Sequence, residues 1–254
     1  MPVPSLLAVY AHPDDESLMS GGVLARHAAA GARTAVVTTT WSPESHRAEE
    51  LAEALRILGA GAPRMLGYAD ARVPGSAPGR PSFCGVPLDE SVEQVVRHLR
   101  EFRPDVVVTH DAYGQLTGHP DHVHTHRVTI LAAHAAGLEH LYPGTGEPWK
   151  PSALYLATHP HSAVGELGAL LTGVGKAVHS VPDERVTATV DVRAWLDQKW
   201  AAIRAHRSES ERVRSLPGLL AGAPAQVRER ILSTEWYIRH ELDPAKSGLR
   251  ELTA

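Results

Sequence analysis

Cysteine is almost absent from this 254-residue sequence, since Cys84 is its only one. A single cysteine excludes an internal disulfide and is typical of proteins of the reducing cytoplasm, where we expect this chain to act. We interpret Cys84 as a small packing residue and not as a nucleophile.

Long apolar runs and an excess of positive charge are missing as well. No apolar run approaches the roughly 20 residues of a membrane span, and the first residues, MPVPSLLAVYAHPDD, lack the basic segment of a signal peptide. The net charge is −4, with both signs mixed along the chain. We therefore expect neither a membrane span nor a signal peptide, and no binding of nucleic acid or of a membrane surface.

A glycine-rich nucleotide-binding turn is also absent. After the first predicted strand the chain reads AHPDDESLMSGG, with acids where a G-x-G-x-x-G turn would present backbone donors to a pyrophosphate. A non-hydrolytic Rossmann-like binding protein, such as a dinucleotide-dependent oxidoreductase, is therefore only a remote alternative.

What the sequence does contain is a regular alternation of short apolar runs and helical patterns. We predict strands at Leu6–Ala11, Thr34–Thr40, Arg64–Tyr68, Asp105–His110, Leu154–His159 and Val186–Val192. We predict helices at Ser17–Ala30, Ser45–Leu58, Leu88–Phe102, Pro120–Ala136, Ala194–Arg207 and Ala225–Glu241, and a surface loop at Val73–Pro87. This order predicts one α/β domain over residues 1–254: a Rossmann-like, mostly parallel sheet flanked by helices on both faces. Its C-terminal helices, from about residue 194, are expected to cover the sheet or the site.

Two clusters of histidine and aspartate follow predicted strands. The first is AHPDDE at residues 11–16, and the second is GHPDHVHTH at residues 118–126. Adjacent carboxylates repel one another and resist burial unless a positive charge compensates them. Because the carboxyl ends of parallel strands meet at one edge of a sheet, we expect the two clusters to meet there and hold a cation.

The spacing within the clusters favours three metal ligands. His12 and Asp15 lie three residues apart, and so do His119 and His122, which would share one face of a helix. We predict His12, Asp15 and His122 as ligands of one zinc ion per chain, with a fourth position open for water. Taken singly, HPDH could instead be an acidic helix start with solvent-facing histidines, and DDE could cap the helix that follows it. Neither interpretation explains why two such clusters lie at strand ends.

The remaining polar residues suggest a hydrolytic mechanism. Zinc lowers the pKa of a bound water toward about 7, and Asp14 could accept its proton. His119 could stabilise an oxyanion or protonate a leaving amine. Asp121 could orient His119.

The pair AHPDDE and GHPDH resembles the LmbE-like, or PIG-L, zinc-dependent deacetylases. Further similarity lies in HRAEELAEALRILGA, RMLGYAD and KWAAIRAHRSE, so the resemblance covers roughly residues 5–210. It implies a Rossmann-like fold and hydrolysis of an acetamide on an amino sugar, with His12, Asp15 and His122 as zinc ligands and Asp14 as base. It also implies that His119 faces the tetrahedral intermediate.

The resemblance extends to residues that would bind the substrate. It implies that Arg47 and Asp70 bind sugar or polyol hydroxyls and that Tyr113 lends its hydroxyl to the intermediate. From the residues alone, Arg47 could instead pair with Glu44 or Glu50 on a helix surface, and Asp70 could cap a turn.

Two more residues are open to two interpretations. The loop WSPES is shorter than in mycothiol-type members, and its Trp41 could stack on a sugar or anchor the loop. His206 could face the pocket, although a surface position beside Arg207 is the plainer interpretation.

We therefore expect a zinc-dependent hydrolase that removes an N-acetyl group from a small sugar conjugate. The alternative is a zinc amidase that cleaves a larger acyl amide, and the oligomeric state, including a homo-oligomer, stays open.

Overall fold

The computed structural model describes residues 3–242, and a single seven-stranded sheet runs through them in the order β3-β2-β1-β4-β5-β7-β6. Its strands are β1 (Leu6–Tyr10), β2 (Thr34–Thr40), β3 (Arg64–Tyr68), β4 (Val106–His110), β5 (Ala153–Thr158), β6 (Ala188–Asp191) and β7 (Thr234–Glu241). The first five strands are parallel, whereas β7 lies antiparallel between β5 and β6. The predicted mostly parallel sheet is confirmed.

Helices cover both faces of this sheet. In the described residues they are α1 (Asp15–Ala29), α2 (His46–Leu58), α3 (Leu88–Phe102), α4 (Pro120–Ala135), α5 (Gly165–Thr172), α6 (Leu196–Ala205), α7 (Arg207–Ser210), α8 (Leu216–Gly222) and α9 (Ala225–Leu232). Leu24, Leu55 and Ala202 join α1, α2 and α6 to one face, while Val95 and Val128 join α3 and α4 to the other. None of the helices within residues 3–242 is long and apolar enough to cross a membrane.

The predicted helix Ala225–Glu241 is wrong in its second half. Helix α9 ends at Leu232, and Thr234–Glu241 forms β7 instead. This stretch contains Thr234 and three further strand-favouring residues, Trp236, Tyr237 and Ile238. Its backbone pairs with β5 from Trp236 to Glu241 and with β6 from Thr234 to Tyr237, so sheet pairing overrides the helical pattern that precedes it.

Other differences are smaller. Helix α1 begins at Asp15 and not at Ser17, so Asp15 and Glu16 occupy its first turn and Asp14 precedes it. The segment Val73–Pro87 is not purely a surface loop, because Phe83 is fully buried in the core. Helices α5 and α8 lie where no element was predicted.

The strand order places a crevice beside β1. Because β2 and β4 flank β1, the chain winds away from it in both directions, and such a reversal opens a crevice past the carboxyl ends of the two central strands. The loop after β1 carries His12, and the segment from β4 to α4 carries His119 and His122. The two clusters therefore meet at one edge of the sheet, as predicted.

Candidate metal centre and active site

Three acceptor atoms converge at the meeting point of β1, α1 and α4. His12 Nδ1 lies 3.4 Å from Asp15 Oδ2 and 3.0 Å from His122 Nε2. Asp15 Oδ2 lies 3.3 Å from His122 Nε2, which closes a triangle. In a tetrahedral zinc site with bonds of about 2.0–2.1 Å, the ligand atoms stand about 3.3 Å apart, so this triangle fits zinc.

In both His12 and His122, one ring nitrogen donates a hydrogen bond, which leaves the lone pair of the other nitrogen free to bind a metal ion. His12 Nε2 lies 3.2 Å from Asp121 Oδ2 and 3.2 Å from Asp70 Oδ2, so it donates its proton to a carboxylate. His122 Nδ1 lies 3.2 Å from the Gly114 carbonyl oxygen and donates to it. Each imidazole therefore turns a lone pair into the triangle, in the arrangement that carboxylates and carbonyls impose on metal-binding histidines.

Gly114 is required for the contact to His122. Its φ of +71° lies in the left-handed region, and a Cβ there would come within 2.8 Å of Val123. Glycine therefore lets the backbone approach α4 closely enough for its carbonyl to reach His122.

Carboxylates dominate the electrostatics around His12. Burial opposes a charge on this ring, but hydrogen bonds to Asp121, Asp15 and Asp70 outweigh burial and raise the pKa of His12 well above its usual range. The same excess of negative charge favours a cation in the triangle.

Asp14 stands beside the triangle and not in it. Its backbone adopts φ +121°, a conformation that is strained for a residue with a side chain, and its N–H donates to Glu16 Oε2 at 2.9 Å. Its Oδ2 lies 3.3 Å from the Arg47 guanidinium. Burial raises the pKa of Asp14 to about 7, although Arg47 opposes this shift.

His119 caps the N-terminus of α4, and its hydrogen bond to the Asp121 N–H indicates its tautomer. The N–H of Asp121 donates to His119 Nδ1 at 3.3 Å, so the proton of the neutral ring sits on Nε2. Burial, followed by the neighbouring His12 and His122, lowers the pKa of His119 to about 3. His119 is thus a neutral donor at the edge of the site.

The structure corrects the role expected for Asp121. Its carboxylate lies 3.6 Å from His119 Nδ1, too far for a hydrogen bond, and contacts His12 Nε2 instead. Asp121 is fully buried and also accepts from the Ala71 N–H at 2.9 Å and the Cys84 thiol at 2.9 Å. Asp121 therefore orients His12, and Cys84 supports that carboxylate.

Arg47 lies inside the site and not on a helix surface, so the alternative interpretation, a surface pair with Glu44 or Glu50, is wrong. Only 4% of it is exposed, and its guanidinium contacts Asp14 and, at 3.4 Å, Glu209. The guanidinium also lies 4.7 Å from the ring centre of the buried Trp41, so it covers one face of that ring.

Asp70 caps a turn, as one of its two interpretations predicted, and it also contacts His12. One oxygen faces His12, while Oδ1 accepts the N–H of Arg72 at 2.7 Å and caps the turn. Tyr113 is 55% exposed and stacks on His179, outside the lining of the cavity.

Two buried histidines adjoin the site: the sequence predicted a surface position for one and did not single out the other. His206 is fully buried, against the surface position expected for it, and its Nε2 donates to Glu16 Oε1 at 2.8 Å. His110, at the end of β4, stacks on His122 with ring centres 4.0 Å apart, and its Nε2 accepts the Ala11 N–H. Their only sequence signals were a histidine at a strand end and one in a late helix.

A cavity of about 210 Å³ opens over the triangle. It is lined by His12, Asp14, Asp15, Leu18, Met19, Trp41, Arg47, Asp70, Arg72, Val73, Gln115, Leu116, Thr117, His119, His122, Lys176, Glu209, Arg212, Ser215, Leu216 and Pro217. One chamber, large enough for a small molecule, therefore holds the three candidate metal ligands together with Asp14, His119, Arg47, Asp70 and Trp41.

Similarity to known sequences covers these same residues. A family model described as PIG-L: GlcNAc-PI de-N-acetylase matches residues 7–133, which include both clusters. The chain is 38% identical to the 1D-myo-inositol 2-acetamido-2-deoxy-alpha-D-glucopyranoside deacetylase of Rhodococcus jostii, with 80% of this chain and 81% of the relative covered.

Two solved structures are similar to the whole fold. The conserved protein TT1542 from Thermus thermophilus has a TM-score of 0.66 and 26% identity, with 98% of this chain and 100% of that chain covered. The N,N'-diacetylchitobiose deacetylase from Pyrococcus horikoshii has a TM-score of 0.64 and 20% identity, with 93% of this chain and 84% of that chain covered. At that identity the second likeness shows the fold alone.

Proposed function

The chain belongs to the PIG-L family and is an amide hydrolase of the N-deacetylase type, and we propose that it uses zinc to remove an acetyl group from an N-acetylated amino sugar or sugar conjugate. The observation that carries the zinc proposal is the triangle of His12 Nδ1, Asp15 Oδ2 and His122 Nε2, three acceptors that turn toward one point. When bound there, zinc supplies Lewis acidity, which lowers the pKa of water and polarises a carbonyl oxygen.

Asp14 is the base in this proposal. It lies next to the ligand Asp15 but points its carboxylate at Arg47, inside the same cavity. There Asp14 Oδ can accept a proton from the attacking water and return it to the leaving amine. The contact with Glu16 fixes the backbone that aims this carboxylate.

His119 stabilises the developing negative charge. Because its Nδ1 accepts the Asp121 N–H, its Nε2–H remains free to donate to the oxygen of the tetrahedral intermediate. This role needs no protonated imidazole.

Arg47, Asp70 and Trp41 line the chamber and are proposed to contact the sugar. Arg47 and Asp70 offer donors and acceptors of the kind that bind hydroxyls, and Trp41 offers an aromatic ring in the lining of the same cavity. The role predicted for Tyr113 stays a prediction, since its ring stacks on His179 at the surface. We propose a small-molecule substrate and a cytoplasmic location, in keeping with the single Cys84.

The test is hydrolysis by zinc-loaded protein of glycosides of N-acetylglucosamine, with release of amine and of acetate measured together. We expect one acetate for each amine. A matched N-hexanoyl glycoside separates this proposal from the amidase alternative, because preferential cleavage of the longer acyl group would favour an amidase. Absence of amine release from every N-acetyl amino sugar tested, with zinc bound, would contradict the proposal.

A further inference from the structure

A second cavity opens on the sheet at the end opposite the metal triangle. Its volume is about 220 Å³, against about 210 Å³ for the cavity over the triangle, and the two cavities share no lining residue. Its floor is formed by side chains of β1, β4, β5 and β6, namely Leu6, Val106, Val108, Tyr155, Ala188 and Val190. We call this cavity the sheet groove. Because Leu6 and Val106 begin their strands, whereas the triangle lies past the carboxyl ends, the groove is remote from the catalytic residues.

The sheet groove is apolar although no helix closes it. Among the described residues, α1 is the only helix that contributes to its lining, through the segment Val23–His27. Tyr155, Ala188 and Val190 are only partly buried as a result. Where one face of a sheet meets water, its outward side chains are usually polar. A concave apolar surface that stays open is instead typical of a binding site.

The edge of the sheet groove presents a single positive charge. Arg26 is exposed, lies 5.8 Å from the ring centre of Trp195, and forms no ion pair with a carboxylate within residues 3–242. His27 Nδ1 donates to the Pro4 carbonyl at 2.9 Å. Burial and the neighbouring Arg26 lower the pKa of His27, although the bond to Pro4 opposes this shift, so the ring is neutral near pH 7. No carboxylate side chain of the described residues lines the groove.

The size and the chemistry of the sheet groove select a class of ligand. An apolar cavity of about 150 Å³ is large enough to hold benzene, so the groove can hold a longer apolar body. The planar guanidinium of Arg26 matches a carboxylate through two hydrogen bonds, and one unpaired cation balances one negative charge. The Tyr155 hydroxyl lines the same groove and forms no hydrogen bond within the described residues, so it offers a further donor.

We propose that the sheet groove binds a monocarboxylate with an apolar body, such as a medium-chain fatty acid. The carboxylate pairs with Arg26, and the apolar body lies on the floor of the groove. This site is additional to the proposed deacetylase site, because the two cavities have no residue in common. Its binding can be measured without any hydrolysis, so either proposal can fail while the other stands.

Calorimetry of the full chain with butanoate, hexanoate and octanoate tests the proposal. Each added methylene should tighten binding by about 3- to 4-fold until the groove is filled, since that is the effect of burying one methylene. 1-Octanol has the same length but no charge, and it should bind about 10-fold or more weakly than octanoate, because a charge-assisted hydrogen bond is lost. Absence of octanoate binding, or equal affinity for octanoate and 1-octanol, would overturn the proposal.

Variants assign the binding to the sheet groove. Ala188→Phe fills the space above the floor and should abolish octanoate binding. Thr189→Phe is the matched control, because Thr189 is exposed and points to the opposite face of β6. Because a carboxylate can also coordinate zinc, octanoate binding that Ala188→Phe leaves unchanged belongs to another site and overturns the proposal.

A second variant keeps the test valid if Ala188→Phe does not fold. Arg26→Gln changes an exposed side chain and should remove the preference for octanoate over 1-octanol, whereas Arg26→Lys should retain part of it. Arg56→Gln, exposed on α2 and outside the groove, is the control and should bind as wild type. An unchanged preference in Arg26→Gln would contradict the proposal.

Two further measurements test other occupants of the sheet groove. Sedimentation velocity may show a wild-type oligomer that Ala188→Phe dissociates and Thr189→Phe does not, which would assign the groove to a second copy of the chain. Octanoate binding that is gained only on deletion of residues 243–254 would assign the groove to that segment. Either result overturns the proposal, whereas octanoate binding by the full-length monomer supports it.

Discussion

At the scale of single residues, the position of each ring proton decides what the site can bind. His12 gives one proton to Asp121 and His122 gives one to Gly114, so two lone pairs and the Asp15 carboxylate face one point. Without a positive charge between them these three acceptor atoms repel one another, and a divalent cation bound among them removes that repulsion.

Substitution of Asp14 tests whether this residue is the catalytic base and not a ligand of the metal. Asp14→Asn keeps the size of the side chain and leaves the triangle intact, so metal content should be unchanged. Turnover should fall by about 10²- to 10⁴-fold, the usual range for loss of a general base. Asp89→Asn, exposed at the start of α3, is the control and should be fully active. Loss of metal from Asp14→Asn would instead make Asp14 a ligand.

Substitution of His206 tests whether its hydrogen bond to Glu16 helps to hold the strained backbone of Asp14. His206 donates to Glu16, which in turn accepts the Asp14 N–H, so the network reaches the base through two hydrogen bonds. His206→Leu should lower kcat by about 10-fold or more with KM little changed, because a charged hydrogen bond is worth about 1.5–3 kcal/mol. His206→Gln keeps a donor and should recover much of the rate. A purely structural role predicts lower thermal stability in both variants with normal kcat.

Sequence reasoning identified the residues of the triangle but not their supports. The histidine–aspartate clusters stand out because few other functions place those residues at strand ends. The pattern of residues around Arg47 and His206 does not predict their burial, and only the family resemblance pointed to Arg47. Whether an arginine on an amphipathic helix is buried depends here on α7, which contributes Glu209 from a distant part of the chain. Contacts of that separation are set by the packed fold.

At the scale of elements, helix α1 is interrupted and supported from the last strand. Ser20 leaves the helical conformation, and the restarted helix presents the N–H groups of Gly22 and Val23 to the carboxylate of Glu235 in β7. Lys199 of α6 neutralises Glu235 at 2.8 Å, with both side chains almost fully buried. This arrangement joins α1, α6 and β7, and it fixes the helix whose first turn carries Asp15.

Lys199→Met tests that junction. The variant leaves Glu235 buried without a counter-charge, which should lower the free energy of unfolding by about 3–5 kcal/mol in urea denaturation. Adding Glu235→Gln should restore part of the loss, because it removes the unpaired charge. Arg230→Met breaks the exposed pair with Glu166 and should have little effect. Unchanged stability in Lys199→Met would show that the junction does not support the fold.

The strand β7 could not be predicted from the local sequence pattern. Its residues follow helix α9 after only Ser233, so the helical pattern of α9 continues in the sequence where the strand begins. The strand forms because the open edge of β5 offers hydrogen bonds along its length, which no local pattern reveals.

At the scale of the whole molecule, the parallel core explains why two sequence clusters about a hundred residues apart make one site. The strand order reverses beside β1, and the crevice opens where both clusters leave the sheet. The alternation of strands and helices in the sequence predicts that the two clusters meet at this crevice. The antiparallel edge of the sheet and the helices that line the cavity depend instead on tertiary packing.

Acid stability is a further property of the packed molecule. Burial, assisted by the nearby Lys199, lowers the pKa of His159 to about 4. The unfolded chain takes up a proton near pH 6.5, which the folded state resists, so this residue reduces stability as the pH falls from about 6.5 toward 4. His159→Gln should therefore lose less Tm than wild type between pH 7 and pH 4.5, while exposed His161→Gln should behave as wild type. Identical losses would contradict the assignment.

Metal analysis of His122→Ala tests the central claim most directly. The wild-type protein should bind one zinc ion per chain, and the variant, left with two of three ligands, should lose both zinc and hydrolysis. His124→Ala is the matched control, because His124 lies on the same helix but packs edge-on against Phe83, and it should keep one zinc and its activity. One full equivalent of zinc in purified His122→Ala would contradict the account.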